Sequence, residues 1–157
     1  MPTTKCGFDD TPGVPGRDLL SLHGPTVYVS IGFDLNYDPQ AVPLRPPNLP
    51  QQLLPAFVDT GASESCIDSN LAMRLNLPIV DQRPISGIHG AGLVNVHLAQ
   101  IHIPSLAFTI HGPFCGVDLI AGGQAHHALI GRTFLQAFTM IYEGRTGTVT
   151  LSNDPAP

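Results

Sequence analysis

Phe57-Val58-Asp59-Thr60-Gly61-Ala62-Ser63 decides how this chain is read. Two apolar residues suited to a buried strand lead into a carboxylate, a hydroxyl and a glycine, the order expected where a strand delivers an acidic side chain into a tight turn. A carboxylate held there is poorly solvated. Beside a second carboxylate, like charge makes the pair hold one proton, so that one member acts as base while the other donates. The plainer reading is an Asx turn, in which Asp59 only binds nearby backbone amides, and an isolated Asp-Thr-Gly favours it. A second stretch shifts the balance: Ala128-Leu129-Ile130-Gly131-Arg132-Thr133-Phe134-Leu135 is an apolar strand that meets a glycine and turns into a brief helix. Glycine at such a junction permits close backbone approach.

The composition sets the frame. At 157 residues and 43% hydrophobic the chain can bury one sizeable core, and no linker divides it. Gly and Pro number 16 each and only 12% of residues are charged, which predicts turns and short strands rather than long solvated helices, hence an all-β or mainly β domain. The net charge is −5 and the basic residues are scattered, so nucleic acid is not an expected partner. Cys6, Cys66 and Cys115 form no close pair in sequence, as suits free thiols in a reducing compartment. No basic start, apolar leader or bilayer-length span appears, so a cytoplasmic protein without a membrane partner is expected.

Residues 1–24 read as a flexible N-terminal arm, because Pro2, Pro12, Pro15, Gly13 and Gly16 oppose regular structure and only Leu19, Leu20 and Leu22 offer something to pack, so partial disorder or docking at a surface is expected. Val27, Val29, Ile31 and Phe33 then alternate with Tyr28, Ser30 and Gly32 as in a half-buried strand. Residues 36–50 form a Pro-rich loop, either functional or a tolerated insertion, and Pro55 to Val58 is the strand entering the Asp59 turn. Asp68 can cap a short helix from Ser69 to Leu75. Gly87, Gly90 and Gly92 mark a hairpin tip, and the parity shift from Val94, Val96 and Leu98 to Ile101 and Ile103 predicts a bend or bulge near Ala99. Leu106, Phe108 and Ile110 predict a further strand. Thr139–Tyr142 and Thr148–Ser152 predict a closing hairpin, before a tail at 153–157.

Taken together, Phe57 to Ser63, the glycine-rich Gly87 to Gly92 and Leu129-Ile130-Gly131-Arg132 resemble the retropepsin family. These are single-lobe aspartic proteases typified by retroviral proteases, with cellular and bacterial relatives. The resemblance spans a domain at 25–152 and implies a closed, pepsin-half-like β-barrel with one or two short helices, acting as a homodimer. It implies an aspartic endopeptidase that cleaves peptide or protein substrates with no metal or other cofactor. Asp59 from each chain would form the dyad that activates water. Thr60 would hydrogen-bond across the two-fold axis, Gly61 would bind substrate backbone, and Ala62 would complete the turn. Ile88, His89, Gly90, Ala91 and Gly92 would belong to a flap that closes over the peptide. Arg132 matches an arginine that braces the site through an aspartate, but Ser63 stands where that aspartate is expected, so Glu64 or an acid of the second chain would have to substitute.

Other chemistries fit less well. His97 and His102 have opposite strand parity and His126-His127 point apart, so the histidines read as core or surface groups rather than zinc ligands. Ser63, Ser65 and Cys66 lack a histidine placed to activate them as nucleophiles. The main rival is a non-catalytic retropepsin-like domain used for dimerisation or peptide binding, against which stand the intact Asp59, Thr60 and Gly61.

Overall fold

The computed structural model describes residues 2–87 and 90–153. In chain order the elements are β1 (Thr3–Lys5), α1 (Gly16–His23), β2 (Thr26–Gly32), β3 (Leu54–Val58), β4 (Cys66–Asp68) and α2 (Ser69–Arg74). There follow β5 (Ile79–Gly87), β6 (Gly90–Ile103), a 3-10 turn (Pro104–Leu106), β7 (Phe108–Val117), β8 (Ala128–Ile130), α3 (Arg132–Leu135), β9 (Thr139–Glu143) and β10 (Thr148–Ser152). The chain is mainly β. Seven strands pair in the order β2-β3-β8-β4-β7-β6-β5, with β6 pairing β2 as well, and β1-β10-β9 form a second sheet.

Alternation dictates which faces meet. Val27, Val29 and Ile31 of β2, Ala56 and Val58 of β3, and Ala128 and Ile130 of β8 are all buried in one apolar cluster, which the two sheets share through Val149 and Leu151 of β10. Each large aliphatic side chain removed from water there contributes about 1.5–3 kcal/mol. Short β8 runs parallel to β3 and antiparallel to β4, so it lies between the strand that enters the Asp59 turn and the strand that leaves it. None of the helices among the described residues is long and apolar enough to cross a membrane.

Several sequence expectations are corrected. The N-terminal segment docks through Leu20, as one of its two expected fates has it, but it carries more regular structure than its Pro and Gly residues suggest: β1 pairs with β10, and α1 packs Leu20 into the core. Breaker residues are compatible with this because β10 offers an unpaired edge, and Cys6 N donates to Val149 O at 2.8 Å while Thr26 N donates to Cys6 O at 2.8 Å. Pro15 occupies the N-cap of α1, where its missing N–H costs no helical bond. The bulge expected near Ala99 is absent, since β6 pairs β7 in unbroken register from Val96 to Ile103. The parity shift arises because β6 leaves β5 and takes β2 as its neighbour, and its residues are then covered on both faces, with Ala99, Gln100 and Ile101 all buried. The register shift that does occur lies between Ile79 and Asp81 of β5. Leu106 belongs to the 3-10 turn rather than to a strand.

Residues 36–50 carry neither helix nor strand. Asp34 ties the two ends of this loop together, accepting from Asn36 N at 2.9 Å and Asn48 N at 2.8 Å. Buried Gln100 in turn holds Asp34, accepting from its N–H at 2.7 Å.

Candidate active site

The Asp59 turn is held from beneath by the β8–α3 junction. Asp59 N donates to Ile130 O at 2.9 Å, extending the β3–β8 ladder by one residue. Gly61 N donates to Asp59 Oδ1 at 2.8 Å and Ala62 N to Asp59 O at 3.2 Å, so an Asx turn does form and it orients the carboxylate. From the other side Arg132 N donates to Ala62 O at 2.9 Å and Thr133 N to Ser63 O at 3.0 Å. Gly131 N donates to the Ser65 hydroxyl at 3.0 Å. A Cβ on Gly131 would stand 2.6 Å from the carbonyl carbon and oxygen of Glu64, which is why glycine is required where the two segments touch.

Arg132 reaches over this contact. Its Nη1 donates to Thr60 O at 2.8 Å, bracing the turn through backbone. Glu64 does not replace the expected aspartate. It pairs instead with Arg83 of β5 at 3.4 Å, with both side chains well exposed, a contact worth about 0–1 kcal/mol. Beside Asp59 lies an open cavity of about 490 Å³, lined by Pro25, Phe57, Val58, Asp59, Thr60, Met140 and Tyr142. A larger cavity of about 610 Å³ lies along the β5–β6 hairpin and takes in Gly90, Ala91, Gly92 and Asn95 but not Asp59. Asp59, Thr60, Gly61, Ala62 and Arg132 are thus brought together. Gly90, Ala91 and Gly92 stand apart from them on the hairpin, opposite Gly87, Ser86 and Ile85. Ile88 and His89 lie outside the described residues.

A family model described as "gag-polyprotein putative aspartyl protease" matches residues 50–137, from the approach to Asp59 through α3. The chain belongs to this retroviral-type, retropepsin-like aspartyl protease family. No curated protein matches it in sequence. Among solved structures it is similar to the retroviral protease-like domain of Ddi1 from Leishmania major, at 19% identity over 82% of this chain and 90% of that chain, with a TM-score of 0.44.

Two structural supports of this retropepsin-like turn escaped the sequence reading. Ser65 has no nucleophilic partner in the sequence, yet it is buried and its hydroxyl serves the Gly131 amide. Its position two residues before Ile67, the buried middle residue of β4, is the sequence hint that it points inward. Asp68, expected as a helix cap through Leu71 N at 3.1 Å, also accepts from Leu119 N at 3.0 Å and Ile120 N at 3.1 Å, pinning the loop before β8. That second role depends on residues far away in sequence.

Several histidines have hydrogen-bonding partners, while the buried Nδ1 atoms of His126 and His127 have none among the described residues. His97 Nδ1 lies 3.2 Å from Leu77 O, His102 Nδ1 lies 2.9 Å from Thr109 Oγ1, and His126 Nε2 lies 2.9 Å from Thr26 Oγ1. Burial, then the charges of His23 and His127, push His126 below the usual histidine range. Burial first, then Cys115, Glu64 and Asp59, push the Cys66 thiol up to about 11. Among the described residues, no three His, Cys, Asp or Glu side chains converge as metal ligands would.

Proposed function

We propose that the protein is an aspartic endopeptidase whose active species is a homodimer, with Asp59 of each copy forming one dyad. The observation that carries this reading is the placement of a lone Asp-Thr-Gly carboxylate in a turn fixed by β8 and α3, beside an open cavity rather than beneath protein. The ring of pairings β2-β3-β8-β4-β7-β6-β2 supports a closed barrel as the scaffold. An apolar edge adjoins the cavity: Ile141 and Tyr142 of β9 are both more than half exposed, and β9 pairs only with β10 in its sheet among the described residues. A second copy seated on that edge would cover both side chains and bring its own Asp59 close.

In such a dimer two near carboxylates share one proton. The ionised member takes a proton from water as its oxygen attacks the scissile carbonyl, and the protonated member donates towards the carbonyl oxygen. Collapse of the tetrahedral intermediate then breaks the C–N bond as the amine acquires a proton. Thr60 would join the two turns across the axis and Gly61 would bind substrate backbone. The hairpin residues Ile88, His89, Gly90, Ala91 and Gly92 would close over the peptide and exclude water. Three free thiols suit a reducing, cytoplasmic setting.

Incubating wild type and Asp59→Asn with a diverse peptide pool from acidic to neutral pH tests the proposal. Cleavage by wild type alone is expected, with a loss of several orders of magnitude in the variant, whose Asn oxygen can still accept from Gly61 N. Equal turnover by the variant would move the chemistry elsewhere, and a dimer that binds peptides without cleaving them would make the domain a recognition module.

A further inference from the structure

The strand register carries one row of side chains across four strands. Phe57 of β3 is the partner of Leu129 of β8, Leu129 of Cys66 of β4, and Cys66 of Cys115 of β7. All four are half-buried, whereas Ala56, Val58, Ala128, Ile130 and Ile67, their alternating neighbours, are buried in the core. The row therefore lies on the outer face, the face to which Asp59, two residues beyond Phe57, also belongs. Cys66 also opens the strand that leaves the Asp59 turn, and its neighbour Ser65 is bonded to Gly131 beneath that turn.

Cys66 and Cys115 are both free thiols. As directly paired residues on neighbouring strands they share a face, and adjacent strands lie about 4.8 Å apart. Disulfides span Cα separations of about 4.4–6.8 Å, so the backbone already meets the distance requirement. Cys6 differs in every respect: it is wholly buried between β1 and α1, and burial pushes its thiol up to about 12.

We propose that Cys66 and Cys115 form a dithiol modification site on the Asp59 face, closing to an intramolecular disulfide with a two-electron oxidant of the azodicarboxamide or peroxide class. With diamide, one thiolate sulfur adds to a nitrogen of the N=N bond. The second thiolate attacks that sulfur, forms the S–S bond and expels the hydrazine, which keeps the two electrons and takes up two protons. The bond ties β4 to β7 and acts through Leu129 on Phe57, which lines the cavity beside Asp59, and this effect on substrate rests on the function proposed above.

The experiment treats the reduced full chain with diamide, alkylates it under denaturing conditions, and maps its peptides. Two of the three thiols should be lost, with a linked peptide pair containing Cys66 and Cys115 that dithiothreitol separates. Cys6→Ser should close the same bond, Cys66→Ser and Cys115→Ser should not, and Asp59→Asn should close it as wild type does, which separates this site from the catalytic reading. Alkylation of all three thiols, bonding to Cys6, or links only between copies would overturn the proposal. In peptide cleavage, the oxidised wild type should show a KM raised several-fold and restored by dithiothreitol. An unchanged KM with the mapped disulfide in place would overturn its location on the substrate side.

Discussion

Gly131→Ala should destabilise the protein and loosen the Asp59 turn together. The added Cβ would stand 2.6 Å from Glu64 C and O and 3.0 Å from Ala62 O. Carbon contacts settle near 3.5–4.0 Å, so the turn must retreat by about 1 Å. The backbone at Gly131, φ −92° and ψ −176°, suits any residue, so the penalty comes from the contact and not from the dihedrals. Retreat stretches the bonds from Arg132 N to Ala62 O and from Thr133 N to Ser63 O, now 2.9 and 3.0 Å. Overpacking costs about 1–3 kcal/mol and each weakened hydrogen bond about 0.5–1.5 kcal/mol, so we expect a loss of about 2–4 kcal/mol, with relaxation absorbing part of the sum. Urea unfolding followed by far-ultraviolet circular dichroism suits the assay, since the chain has no tryptophan. Gly92→Ala is the control, because nothing lies within 4 Å of its added Cβ. A Gly131→Ala protein within about 0.5 kcal/mol of wild type would refute the close-approach argument.

Two further perturbations follow from buried polar groups. Ser65→Ala leaves the Gly131 amide without its acceptor and should cost about 1–3 kcal/mol in the same urea assay, whereas a neutral result would mean that water or a shifted backbone serves that amide equally well. His126 is below the usual histidine range, so the unfolded chain binds its proton more readily. Its contribution is complete above the unfolded value near 6.5 and is lost as the pH falls through and below it. The Tm of His126→Gln should therefore fall less steeply than that of wild type on acidification from neutral pH, and parallel curves would exclude His126 from the acid limb.

What could be read from sequence was whatever local pattern determines. The apolar run into Asp59, the cap at Asp68 and the Gly131 junction each announce themselves through neighbours in the chain, and each is found in its expected place. Failures came where partners are distant. Pro and Gly in residues 1–24 signal broken structure locally, but the free edge of β10 recruits β1 from the far end of the chain. The change of neighbours along β6 from β5 to β2 looks like a bulge when only one face is assumed to be buried. The pairing of Glu64 with Arg83 rather than Arg132 depends on where β5 passes the active turn, which no spacing rule encodes.

The central claim is that Asp59 works as half of a shared dyad, and subunit mixing tests it most directly. Wild type and Asp59→Asn are combined in equal amounts, left to exchange subunits, and assayed for peptide cleavage against wild type at the same total concentration. Random pairing with an inactive mixed dimer predicts about one quarter of the wild-type activity. A value of about one half, linear in the wild-type fraction, would show that each chain acts alone and would contradict the shared site.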